Sequence, residues 1–261
     1  MLINTVILFL RDALPIFVLI GLLLGQVQLS KRVFIGSLFA GLACSLFFIQ
    51  QVDVLGEMFA GTGLEITLWC LHFFIYCLVV LLGFSPLLFS SHDISRVNQI
   101  MACGLLVLII VAKGTNFLLY FNGYLNQQNA LQSMLIGTLL GLGICLSLAI
   151  LLYFFTHWLN RKNGFFAPWL VLLVFATGQL VNAINLLVQV DVISDAAPIW
   201  NTQWLVDNES EYGYLLNVLI GYAATPTTLQ IGLYLPLIIF PIIARYWWNR
   251  IATQTHRGES Q

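Results

Sequence analysis

The chain has 261 residues, 60% of them hydrophobic and only 8% charged, where a soluble domain carries about 25% charged residues. Ten Lys and Arg stand against eleven Asp and Glu, which leaves no basic field for a nucleic acid. With a mean hydropathy of +0.93, a soluble enzyme, a disordered chain and a nucleic-acid binder are excluded, and one integral membrane domain over residues 1–261 is expected.

A helical crossing needs about 20 mostly apolar residues. Seven segments meet that, at 3–26, 33–50, 66–88, 99–122, 133–158, 168–190 and 213–245. The first lacks a basic leader and is interrupted by Arg11-Asp12, so it reads as a retained span, not a signal peptide. The last contains Pro226, Pro236 and Pro241, and a break or kink is expected there. Cys44, Cys70, Cys77, Cys103 and Cys145 lie in apolar runs without a CxxC and read as small buried packing residues.

Loop charge sets the orientation. Lys31, Arg32, Arg96, Arg161, Lys162, Arg245, Arg250 and Arg257 all follow odd-numbered spans, and the opposite loops hold no Lys or Arg. The basic side is cytoplasmic by the positive-inside rule, which puts the N-terminus outside and the C-terminus inside. The outer loops are acidic, with Asp53, Glu57 and Glu65 before span three and Asp191, Asp195, Asp207, Glu209 and Glu211 before span seven. Such a mouth concentrates cations or simply solvates the loops. Trp158, Trp169, Trp247 and Trp248 near inner span ends, with Trp69 near an outer one, suggest an aromatic belt.

Three charges fall within spans: Arg11 and Asp12 in the first, Lys113 in the fourth. Each costs about 2.5–3.5 kcal/mol at the centre of a membrane helix, so they are expected to face the protein interior and to pair, Asp12 with Lys113 or Arg11. Pro15 should kink span one and free the Arg11 carbonyl. Spans one and four run in opposite directions and both carry polar residues at mid-depth. That is the arrangement of a 3+3 inverted repeat plus one further helix, with a site where the repeats meet. Gly21 and Gly25, and Gly137 and Gly141, have the spacing of close helix crossings.

The segments Ile7-Leu8-Phe9 with Arg11-Asp12-Ala13-Leu14-Pro15, and Ala112-Lys113-Gly114-Thr115-Asn116 with Leu119-Tyr120-Phe121-Asn122-Gly123, stand in the order seen in a known family. Trp200-Asn201-Thr202-Gln203-Trp204 and Gly221-Tyr222 through Pro226 to Gln230, then Tyr234-Leu235, follow. Across essentially its whole length the chain resembles the oxidase-dependent high-affinity iron permeases of fungi and their bacterial relatives in elemental iron uptake. In that family Arg-Glu-Gly-Leu-Glu occurs in spans one and four; the four glutamate positions here are Asp12, Pro15, Lys113 and Asn116.

The resemblance implies an all-α permease, not an enzyme, that moves iron or a related metal species through a midplane site between spans one and four. Asp12 and Asn116 would be the metal ligands, beside Arg11 and Lys113. Glu57 and Glu65 would capture cations at the outer mouth near His72. No resident cofactor is expected, iron being the cargo. A periplasmic or extracellular iron-oxidising or iron-delivering protein would be the partner. With no targeting segment or tail extension read in the sequence, a bacterial inner membrane is the expected location. Two cations against one carboxylate also leave open a permease for a non-cationic substrate, or a non-transporting membrane subunit of the same fold. A haem would need paired axial histidines inside the bundle. Only His92 and His157 share a side, and neither lies well within a span.

Overall fold

A computed structural model describes residues 2–88, 91–125, 131–194 and 197–258. Seven of its helices are long and apolar enough to cross a membrane: Thr5–Gln26, Lys31–Gln50, Gly63–Leu88, Asp93–Leu118, Leu135–Asn163, Phe166–Gln189 and Thr228–Arg250. They are spans one to seven below. No β-sheet occurs among the described residues. A single bridge joins Pro198 to Thr227.

Spans one and six form the centre. In their most apolar stretches 61% and 67% of residues are buried, against 17% and 22% for spans two and five and 11% for span seven. Span five packs along span one, span two along span four, and span three along span six. Leu14, Leu19, Leu22, Ile75, Leu105, Ile109 and Leu172 fill the space between them. The outer helices show large apolar side chains such as Phe39, Phe47, Leu139, Phe154 and Phe240, as lipid-facing helices do.

Spans two and five bury the same stripe. Between residues 35 and 48 only Ser37, Gly41 and Ser45 are buried; between 135 and 148 only Gly137, Gly141 and Cys145 are. Gly41 rests on Ile110 of span four, and Gly141 on Phe9 of span one. The Cys145 thiol reaches the Phe9 carbonyl at 3.8 Å. Small residues are what allow such close crossings. Gly21 and Gly25 meet Ala149 and Thr156 of span five in the same way.

The segment expected as one last span, 213–245, is divided. A ten-residue helix, Glu211–Ile220, starts where the Ser210 hydroxyl accepts from Gly213 N–H at 3.0 Å. It stops at Gly221, which is left-handed at φ 71°. Its end lies on Gly178, halfway along span six: a Cβ on Gly178 would come within 2.6 Å of the Gly221 nitrogen. Residues 222–227 then return without helix. Ala224 O accepts from Thr202 N–H at 2.8 Å and Pro226 O from Ile199 N–H at 2.9 Å. The break therefore falls at Gly221–Thr227, and Pro236 and Pro241 sit inside the intact helix that follows. Pro241 has no N–H to give the Leu237 carbonyl; the Tyr76 hydroxyl donates to it instead, at 2.8 Å.

Two further expectations change. Trp169 is not in the belt: it is fully buried, its Nε1–H donates to Val79 O at 2.9 Å, and its ring lies on Gly83. The Arg245 guanidinium stacks on that ring and donates to Gly83 O. Trp158, Trp247 and Trp248 are exposed, as a belt requires. Of the five free cysteines only Cys145 is buried, and Cys44 is exposed, since span two turns most of its surface outward.

Candidate functional site

A cavity of about 240 Å³ lies where span one, span three, span four, span six and the half-helix Glu211–Ile220 meet. Arg11, Asp12, Lys113 and Asn116, the four residues singled out in spans one and four, all line it. The helix of span one changes character here. Phe9–Ala13 is a π-helical turn, closed by Leu14 N–H to Phe9 O, and Pro15 follows at once. Single π turns of this kind gather at functional sites. So the irregularity expected at Pro15 is a widened turn that carries Arg11 and Asp12 to the cavity wall.

Asp12 is buried and touches Arg11 loosely, Nε to Oδ1 at 3.9 Å. Of the two partners expected for it, the neighbour is the one in contact. Lys113 forms no direct ion pair with Asp12, yet lies within electrostatic range of Asp12, Arg11 and His72. The Arg11 side chain is 62% exposed, so it borders the open part of the cavity. Glu57 and Glu65 do not line the cavity; Glu57 is exposed and Glu65 half-buried at the start of span three. The side chains of Leu119–Gly123, His92 and His256 lie outside the described residues, and His157 stacks on Tyr153 away from the cavity.

Most of the remaining polar lining comes from span six, whose part in the site is not among the expectations above. Gln179, Asn182, Asn185 and Gln189 face the cavity, at the three- and four-residue steps of one helical face. Part of this stripe is structural. A helix that stops inside a bundle leaves carbonyls without partners. Gln179 Nε2 donates to Val218 O at 3.1 Å, Asn182 Nδ2 to Asn217 Oδ1 at 3.0 Å, and Tyr234 OH to Ile220 O at 2.8 Å. Gln230 Nε2 donates to Asn185 Oδ1 at 2.8 Å and ties span seven to the same face.

Three acceptors of the lining stay open. Asp12 Oδ2, His72 Nε2 and Gln179 Oε1 are buried and have no hydrogen-bond partner among the described residues. His72 Nδ1 lies 2.8 Å from Leu68 O. A carbonyl only accepts, so Nδ1 carries the proton and Nε2 presents a lone pair. Leaving a buried polar atom unpaired costs about 1–3 kcal/mol, and these three sit on residues that line one cavity, where a donor could meet them. No group of three or more His, Cys, Asp or Glu able to hold a metal occurs among the described residues.

No family model matches the chain, and no curated protein and no solved structure is significantly similar to it. Among the described residues, seven helices long and apolar enough to cross a membrane mark it as an integral membrane protein.

Proposed function

We propose that the chain is a membrane permease built as a 3+3 inverted repeat plus one helix, with its cargo site in the amide-lined cavity between spans one and four. The observation that carries this is the shared geometry of the two halves. Exchanging span one with four, two with five and three with six turns the one–five pair into the four–two pair and returns three–six to itself. The same exchange turns the contact Gly41–Ile110 into Gly141–Phe9, and it carries Asp12 onto Lys113. The charged pair then flanks the axis relating the halves, where transporters of this architecture hold their substrates. The half-helix ending at Gly221 adds a second feature of such proteins, a broken helix tolerated because it lines a cavity.

Lysines and arginines at the ends of odd-numbered spans support a cytoplasmic C-terminus. Within this reading the cargo is a non-cationic or charge-balanced solute, not a bare metal ion. Two cations face one carboxylate, and a multivalent ion entering that field is repelled. Iron or a related metal species, handed over by an iron-oxidising or iron-delivering protein outside, is the second reading. The open oxygen and nitrogen acceptors Asp12 Oδ2, His72 Nε2 and Gln179 Oε1 favour it.

A permease must open its site to both sides. Asn116→Cys, in a chain whose five native cysteines are replaced, is expected to react with a membrane-impermeant thiol reagent from either face of sealed, oriented vesicles. Labelling from one face only would describe a static recess and end the permease reading.

A further inference from the structure

The cavity's free groups are of two kinds. The first are acceptors with nothing to accept: Asp12 Oδ2, His72 Nε2 and Gln179 Oε1. Their residues are 3%, 4% and 2% exposed, and all three line the cavity. The second are donors. The Lys113 ammonium has no hydrogen bond or ion pair among the described residues, and Asp12 lies within its electrostatic range but out of direct contact. The Asn116 amide sits one helical turn further along the same wall of span four. Arg11 adds a guanidinium at the open border.

A lone cation would satisfy the first set and meet Lys113 and Arg11 unscreened. A lone anion would satisfy the second and meet the Asp12 carboxylate and two further acceptors. A ligand with both signs satisfies each at once. We propose that the cavity binds a small zwitterion of amino-acid type, its ammonium held by Asp12, His72 and Gln179 and its carboxylate by Lys113 and Asn116. A volume of about 240 Å³ accommodates such a molecule and is small for a drug-sized one, whose pockets run from about 300 Å³ upward. This rests on the permease reading for its biological sense, but the binding itself does not require transport.

The test is thermal unfolding of the purified full-length chain in detergent. The probes, added singly at about 10 mM, are the common amino acids, ferrous and zinc ions as cations, and succinate and phosphate as anions. A ligand that binds only the folded state raises the midpoint. At least one amino acid is expected to raise it by about 3 °C or more, and the single-sign probes by less than about 1 °C. Asp12→Asn and Lys113→Met are each expected to remove the shift. Should either variant fail to fold, Asn116→Leu and Gln179→Leu serve in its place. Stabilisation by a metal alone overturns the proposal in favour of a cation site; stabilisation by succinate or phosphate alone overturns it in favour of an anion site. No shift with any amino acid also overturns it. In that last case labelling of Asn116→Cys from both faces still upholds the permease reading.

Discussion

Spans one and four are each laid along a helix with a stripe of small residues, yet they differ where they meet the cavity. Span four is α-helical through Lys113 and keeps Thr115 bonded back to Val111 O at 2.7 Å. Span one widens into a π turn at Phe9–Ala13 and carries the opposite charge, Asp12. The difference teaches that scaffold and site are separable. Small residues packed against Phe9 and Ile110 are common to the two spans, whereas the chemistry lies in where they depart from each other. Span one brings a carboxylate and a guanidinium to the cavity and span four an ammonium and an amide, so the two walls differ and the site has direction.

The most severe way to break that comparison is to make the two walls alike. Asp12→Lys places three cations around one cavity with no carboxylate. An uncompensated buried charge costs about 3–5 kcal/mol, a large part of a typical domain's stability. Loss of folded protein on size-exclusion chromatography is expected. Lys113→Asp added to Asp12→Lys restores one charge of each sign with the walls exchanged, and is expected to recover the folded peak. If the double variant is no better than the single one, Asp12 and Lys113 do not act as a pair.

Next in size is a test of the scaffold. Gly141→Leu would drive a side chain into Phe9, whose Cβ lies 2.6 Å from the position of an added Cβ. Gly41→Leu meets Ile110 at longer range, Cδ1 at 2.9 Å and Cβ at 3.0 Å. Overpacking of this kind costs about 1–3 kcal/mol. Both variants should lower the unfolding midpoint, Gly141→Leu by more because Phe9 is fixed in the π turn and edge-on to Phe117. Equal effects would mean that the π turn gives as easily as a helix.

Much of this was readable in the chain, because charge in an apolar run is a loud signal. Arg11, Asp12 and Lys113 stand out by their insertion cost alone, and Asn116 by the resemblance of its segment. The amides of span six were quieter. Gln179, Asn182, Asn185 and Gln189 carry no charge, and the helix that holds them stays apolar enough to cross a membrane. Their spacing on one face was the available sign. His72 is read in the sequence only as a neighbour of the outer mouth, since the fold alone shows Leu68 O fixing its proton on Nδ1. The break expected among the prolines of the last segment falls at the first of them, Pro226, but a separate half-helix was not legible because Glu211–Ile220 and the start of span seven read as one apolar run. The Gly221-to-Pro226 interval marks the break, but the partner that requires it, Gly178, lies 43 positions earlier in sequence.

The smallest effect separates the two tasks of the span-six amides. Asn182→Leu removes the donor to Asn217 Oδ1 and O and leaves Asn217 Nδ2 without its acceptor on span six. The half-helix keeps Gln179 to Val218 O, Gly221 N–H to Asn217 O at 2.9 Å, and Asn217 Nδ2 to Tyr222 O at 2.9 Å. The loss is therefore partial, about 1–2 kcal/mol for buried groups left with fewer partners. It should appear as faster hydrogen exchange confined to residues 211–227, with the cores of spans one and four protected as before. Asn182 faces a second, apolar cavity as well, of about 340 Å³ and lined by Trp200, Pro226 and Tyr234. If exchange also rises in spans one and four, the half-helix is bound up with the charged pair, and the directional site extends across both cavities.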